Sequence, residues 1–101
     1  MYHKIGHLND FKNDQIVAYF YDDREILTVK IEDEIFAVDN ICSHAEEQLC
    51  KGSLIGNEIE CPRHGARFNL KTGEATEGPA LLPIDTFNLK VSSNGDILIE
   101  S

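Results

Sequence analysis

Two pairs of cysteine and histidine lie in the middle of the 101-residue chain, each in the order Cys then His. In "CSH", Cys42 precedes His44 by two positions, and in "CPRH", Cys61 precedes His64 by three. Two thiolates and two imidazoles suit either a tetrahedral zinc ion or a two-iron two-sulfur cluster that has two histidines on one iron. The four residues are therefore candidate ligands of a metal centre.

The order of residues within each pair favours the cluster. A classical zinc finger groups its two cysteines together and its two histidines together. Here each pair is mixed, so each segment can send one cysteine to one iron and one histidine to the other. Residues 45–60 separate the two pairs, and "SLIGNEIE" within them predicts a hairpin that turns at Gly56-Asn57 and brings the pairs together. A structural zinc module remains an alternative on this spacing alone.

The rest of the chain predicts a β scaffold that would position these segments. Short β-rich runs alternate with turns, and Asn94-Gly95 is a strong hairpin signal. In "ILTVKIE", alternation places Leu27 on one face and Thr28 on the opposite, polar face. The predicted strands are 15–21, 26–32, 35–39, 66–70, 86–92 and 96–100. We expect an all-β fold, a small antiparallel barrel or sandwich, formed by one domain over residues 1–101.

Charge and cysteine content narrow the possible partners and the compartment. Eighteen acidic and nine basic residues give a net charge of -9, which disfavours nucleic acid and anionic membranes and favours basic protein surfaces. No apolar run approaches the roughly 18 residues of a membrane helix, and the N-terminus has no signal-peptide pattern. We expect a cytoplasmic monomer, and three cysteines in a reducing compartment fit metal binding better than disulfides.

The sequence resembles the Rieske ferredoxins that serve bacterial aromatic-ring-hydroxylating dioxygenases. "CSH" and "CPRHG" resemble the two ligand boxes of that family, including Pro62 and Gly65. "RFNLKTGE" resembles the strand and turn after the second box, and "GPALLPI" resembles the proline-containing loop that covers the cluster. The resemblance extends over roughly residues 3–100.

The resemblance implies one Rieske-type 2Fe-2S cluster in two loops, at about residues 42–50 and 61–68. Cys42 and Cys61 would ligate the inner iron, and His44 and His64 the outer iron. The implied function is one-electron transfer from a flavin-dependent NAD(P)H reductase to a terminal oxygenase, without catalysis by the chain itself. A small Rieske-like subunit of a nitrite reductase is a further alternative.

The sequence also departs from high-potential members of the family. Those members carry two further cysteines that form a disulfide between the loops, whereas Glu47 and Arg63 stand at these positions and are candidates for an ion pair. They also carry a Ser and a Tyr where this chain has Ala66 and Phe68, which cannot donate a side-chain hydrogen bond to sulfur. These departures predict a low reduction potential.

Several further residues carry expectations that the structure tests. We expect Cys50 to be a small, partly buried apolar residue, and His3 and His7 to be solvated side chains. The resemblance also predicts a partner-docking surface around the two ligand histidines, with an apolar centre and a charged rim. Its predicted members are Leu49, Pro79, Ala80, Glu46, Glu47, Arg63 and Arg67.

Overall fold

The computed structural model describes residues 1–12, 15–42, 47–62, 65–78 and 82–100. The strands in these ranges are β1 (Tyr2–His7), β2 (Ile16–Tyr21), β3 (Arg24–Ile31), β4 (Glu34–Asp39), β5 (Ser53–Ile55), β6 (Glu58–Glu60), β7 (Arg67–Asn69), β8 (Ala75–Glu77), β9 (Thr86–Phe87), β10 (Leu89–Val91) and β11 (Asp96–Glu100). Two short 3₁₀ helices cover Leu8–Asp10 and Leu49–Lys51. The all-β prediction is confirmed. Within the described ranges, no helix is long and apolar enough to cross a membrane.

The strands form three antiparallel sheets. The terminal sheet has the order β1-β11-β10, the central sheet β2-β3-β4-β9, and the loop sheet β5-β6-β7-β8. In the sequence, strands β5 and β6 of the loop sheet lie between the two Cys/His segments, and β7 and β8 follow the second segment. Cys61 therefore comes directly after β6. The predicted hairpin at Gly56-Asn57 is present, with Ile55 paired to Glu58.

Strand β3 is buried on both faces, which corrects one detail of the predicted alternation. Leu27 and Val29 pack into the main hydrophobic core, whereas Ile26 packs into a second cluster that includes Ile99 of the terminal sheet. Thr28 is also fully buried, although alternation placed it on a solvent face. Its hydroxyl donates to the Val17 carbonyl at 2.6 Å, so the buried polar group is satisfied.

The predicted strand 86–92 divides into two strands in different sheets. β9 pairs with β4 in the central sheet, and β10 pairs with β11 in the terminal sheet. Asn88 separates them, and its carbonyl accepts a hydrogen bond from the Glu100 amide at 3.0 Å. The segment therefore links two sheets. Periodicity did not predict this break because both halves favour extended backbone.

Candidate metal centre

The first cysteine lies at the base of a loop that leaves the central sheet. Cys42 follows β4, is 3% exposed, and donates its backbone N–H to the Glu47 carbonyl at 3.0 Å. One residue outward on each side, Ile41 and Gln48 form an isolated antiparallel bridge. Hydrogen bonds thus join the chain on the two sides of positions 43–46.

The second cysteine has a matching environment in the loop sheet. Cys61 is 1% exposed and donates its backbone N–H to the Ala66 carbonyl at 2.7 Å. Beyond this bond, Glu60 pairs with Arg67 in the β6–β7 ladder. In both segments the cysteine N–H bonds to the carbonyl of the residue five positions later. The two cysteines therefore occupy equivalent positions, each with its N–H bonded across the base of the segment that follows it.

Gly65 completes the base of the second loop. Its φ is +75°, in the left-handed region that residues with a Cβ rarely adopt. Among the described residues, no heavy atom outside the chain neighbours lies within 4 Å of the position where a Cβ would stand, so the backbone angle itself favours glycine here. This observation gives a conformational reason for the glycine in the "CPRHG" box.

Both cysteines belong to the same hydrophobic core. All three cysteines of the chain are present as thiols and not as disulfides. The main core cluster consists of Leu27, Val29, Val38, Cys42, Leu49, Ile59, Cys61, Ala66, Phe68, Leu70 and Ile84. The structure thus brings the two predicted thiol ligands into one buried region. His44 and His64 lie outside the described residues.

The chemistry of this region fits a metal cluster. An uncompensated thiolate in apolar surroundings is costly, whereas coordination to a metal deprotonates a thiol outright. The two buried cysteines are free thiols, and a histidine follows each of them in the sequence. They can therefore supply the two thiolates of a two-cysteine two-histidine ligand set. Ligation by Cys42, His44, Cys61 and His64 remains a prediction, since the structure describes only the two cysteines.

The residues predicted to withhold hydrogen bonds lie in this same core. Ala66 and Phe68 are both fully buried, and Phe68 pairs with Ile59 across the β6–β7 ladder. Neither side chain has a polar atom. Apolar groups therefore form part of the buried surroundings of the two thiols.

The segment predicted to cover the cluster is anchored at its C-terminal end. Ile84 is buried and donates its N–H to the Gly73 carbonyl at 2.9 Å. Gly73 has a φ of +78°, and a Cβ there would stand 2.1 Å from the Ile84 carbonyl oxygen. The turn after β7 can accept this segment only because position 73 is glycine. Pro79 and Ala80 lie outside the described residues.

The predicted docking surface needs one correction. Leu49 is fully buried in the core with both cysteines, so its assignment to an exposed apolar patch is wrong. Arg67 is partly exposed and forms an ion pair with Glu60 at 3.0 Å across two neighbouring strands. Glu46 and Arg63 lie outside the described residues, so the Glu47–Arg63 pair remains a prediction.

The expectations for Cys50 and the two remaining histidines have different outcomes. Cys50 is partly buried against the main core, as predicted. His7 is not simply solvated: its Nδ1 accepts the Asn9 N–H at 3.0 Å, which leaves Nε2–H to donate to the Asn94 carbonyl at 2.7 Å. The ring of His3 lies 5.6 Å from that of Tyr21. Both histidines therefore have structural contacts within the β scaffold.

A polar cluster beside the first loop was not predicted from the sequence. Asn40 is fully buried two residues before Cys42, and its side chain contacts Cys50 and Glu25. Gln48 donates to the same Glu25 carboxylate at 2.6 Å. The sequence signal for this cluster was weak. A polar residue directly after a predicted strand, such as Asn40 after 35–39, usually marks an exposed strand end and not a buried amide.

Comparison with known proteins agrees with this site. The Rieske [2Fe-2S] domain model matches residues 1–88. The ferredoxin component of the naphthalene 1,2-dioxygenase/salicylate 5-hydroxylase systems of a Ralstonia species is 36% identical over 86 residues, which are 85% of this chain and 83% of the relative. The solved ferredoxin of carbazole 1,9a-dioxygenase from Nocardioides aromaticivorans is 33% identical, with a TM-score of 0.90, and the match covers 98% of this chain and 96% of that one.

A third match comes from a structure described as a complex of reduced oxygenase and oxidized ferredoxin in carbazole 1,9a-dioxygenase. The matched chain is 25% identical, with a TM-score of 0.87, and the match covers 97% of this chain and 91% of that one. This chain belongs to the Rieske [2Fe-2S] domain family. Within that family it is an electron carrier of the ferredoxin type with one Rieske-type 2Fe-2S cluster, and not an enzyme that converts a substrate.

Proposed function

We propose that the chain carries single electrons from a flavin-containing reductase to the terminal oxygenase of an aromatic-ring-hydroxylating dioxygenase system in the cytoplasm. Cys42 and Cys61 ligate the inner iron of its cluster, and His44 and His64 ligate the outer iron. When bound, such a cluster accepts and donates one electron at a time. Residues 1–101 act as a single domain, a proposal supported by the match over 98% of the chain to a solved ferredoxin.

The observation that supports this ligand set best is the equivalence of the two loop bases. Each cysteine is buried in the main core, and each donates its N–H to the carbonyl of the residue five positions later. Burial excludes water from the thiolate side of the site. The histidines follow each cysteine by two and three positions, which places them further along the same two segments. We propose that their imidazole edges provide the exit for the electron.

The related structures support the choice of partners. The carbazole dioxygenase structure is described as a complex of oxygenase and ferredoxin, and the match to it covers 97% of the present chain. The net charge of -9 favours partners with basic docking surfaces. A surface rich in charge also suits a short-lived complex that must dissociate after each electron.

A reconstitution assay tests the proposed function. The purified holoprotein is reduced by a flavin-containing reductase and NADH or NADPH, and is then mixed with an oxidised Rieske oxygenase. We expect reduction to be followed by stoichiometric transfer of one electron per chain to the oxygenase. A protein that retains its cluster but exchanges electrons with neither partner class would contradict the proposed function without affecting the cluster assignment.

A further inference from the structure

We propose that Asn40 is a positioning residue for the cluster, which fixes the geometry of the first loop by fastening both of its sides to β3. This inference rests on the proposed ligation by Cys42 and His44. It adds a role for a residue outside the ligand boxes.

The backbone of Asn40 joins three parts of the chain. Asn40 lies between the end of β4 and Cys42. Its N–H donates to the Glu25 carbonyl of β3 at 3.0 Å, and its carbonyl accepts the Leu49 N–H at 2.6 Å. The residue that enters the loop is therefore bonded both to the central sheet and to the segment that leaves the loop.

The side chain adds further contacts to the same two parts. Oδ1 accepts the Cys50 N–H at 2.8 Å, and Nδ2 lies 3.5 Å from both the Cys50 sulfur and Glu25 Oε1. Gln48 Nε2 donates to the same Oε1 at 2.6 Å. One buried amide and one carboxylate thus hold the entering side and the leaving side of the first loop together.

Asparagine is suited to this position because its amide carries an acceptor and a donor in one plane. The position is fully buried, so an apolar replacement would leave the Cys50 N–H without its acceptor in a region that water does not reach. Leu49 packs into the core with Cys42. Its two neighbours in the chain are both held by the cluster, since the Cys50 N–H bonds to Asn40 and the Gln48 side chain bonds to Glu25. Loss of the Asn40 side chain is therefore expected to loosen the loop directly beside its cysteine.

A looser first loop has two measurable consequences. Local opening exposes a ligand without global unfolding, so the cluster is lost faster to a chelator. Altered loop geometry also changes the surroundings of the irons, to which the potential and the spectrum of a cluster respond. A residue that only adds global stability would change neither the spectrum nor the potential.

The test compares Asn40→Ala with Thr28→Val in the holoprotein. Thr28 is a matched control because it is also a fully buried polar residue, and its hydroxyl donates to the Val17 carbonyl at 2.6 Å within the central sheet. We expect Asn40→Ala to increase the rate of chelator-driven cluster loss on the order of tenfold, the effect of one unsatisfied buried group. Its EPR spectrum in the reduced state should shift, whereas Thr28→Val should change the rate less than about twofold and leave the spectrum unchanged.

Gln48→Met keeps the experiment decisive if Asn40→Ala does not fold. It removes only the hydrogen bond to Glu25 at a half-buried position, and cluster loss should rise about threefold with a spectral shift in the same direction. Equal rates for Asn40→Ala and Thr28→Val with unchanged spectra would overturn the proposal, because they indicate a general role in stability. If Asn40→Ala does not fold, an unchanged rate and spectrum for Gln48→Met would overturn it as well. Both readouts are independent of electron delivery to an oxygenase, on which the proposed function depends.

Discussion

At the scale of single residues, the side chains that surround the two thiols determine how easily the centre is reduced. Ala66 and Phe68 lie in the same buried core as Cys42 and Cys61, and neither side chain offers a hydrogen-bond donor. Hydrogen bonds to cluster sulfur stabilise the reduced form and raise the potential. We therefore expect a potential near the bottom of the Rieske range of roughly -150 to +300 mV, below about -50 mV at pH 7 by voltammetry.

Substitution at these two positions tests that argument. Phe68→Tyr and Ala66→Ser should each raise the potential if the new hydroxyl reaches a cluster sulfur, since each adds the donor that is now missing. Phe87→Tyr is the control, because Phe87 packs against the second hydrophobic cluster and not the one that contains the cysteines. A wild-type potential above about +100 mV would refute the residue-level account.

A second residue-scale prediction concerns acid stability. The His7 N–H and the Tyr19 hydroxyl both donate to Asp10 Oδ2, at 3.0 and 2.8 Å, and hold the pKa of Asp10 below its ordinary value of 3.8. Because the folded pKa is the lower one, this stabilisation is fully present above pH 3.8 and is lost as the pH falls through the folded value. Asp10→Asn should therefore lower the free energy of unfolding more at pH 6 than at pH 2, as measured by urea denaturation. Equal losses at both pH values would contradict the linkage.

At the scale of elements, the turn after β7 carries a strict backbone requirement. Gly73 and Gly56 both have positive φ, but only Gly73 is crowded, since a Cβ there meets the Ile84 carbonyl oxygen. Gly73→Ala should destabilise the fold by about 3 kcal/mol or more, whereas Gly56→Ala should cost only the conformational strain of about 1–2 kcal/mol. Thermal unfolding of both variants measures the difference. Equal effects would mean that the contact with the segment at Ile84 does not matter.

The elements also show what could be predicted from the sequence. The hairpins at Gly56-Asn57 and Asn94-Gly95 and the strand 96–100 were predictable because turn residues and alternation act locally. The break at Asn88 and the burial of Thr28 were not, because both depend on which sheets pack against each other. The same applies to the site: the ligand cysteines follow from spacing, but the Asn40 cluster forms only when β3 and the first loop meet in space.

At the scale of the whole molecule, the acidic charge should act mainly on encounter with partners. Charge reversal of Glu46 and Glu47, beside the first ligand pair, should slow electron delivery at low ionic strength, and the effect should fade as salt screens the charges. The potential should change little. The measurement is the second-order rate of oxygenase reduction as a function of salt.

The control for this prediction is Asp33→Lys. Asp33 is exposed in the turn between β3 and β4, at the end of that hairpin opposite Asn40. It is a cleaner control than Asp96, which forms an ion pair with Lys4 at 3.3 Å. Equal slowing by reversal at Asp33 would show that net charge, and not the surface around the ligand loops, governs recognition.

The central claim is that the two loop-base cysteines hold the inner iron of a two-iron cluster, and metal and sulfide analysis tests it most directly. We expect two irons and two acid-labile sulfides per chain in the purified protein. Cys42→Ser and Cys61→Ser should each abolish both. Cys50→Ser and His7→Ala should retain them, because Cys50→Ser keeps the backbone N–H that bonds to Asn40, and the His7 ring contacts Asn94 in the terminal hairpin. One zinc ion per chain without sulfide, or full iron content in Cys42→Ser and Cys61→Ser, would contradict the account.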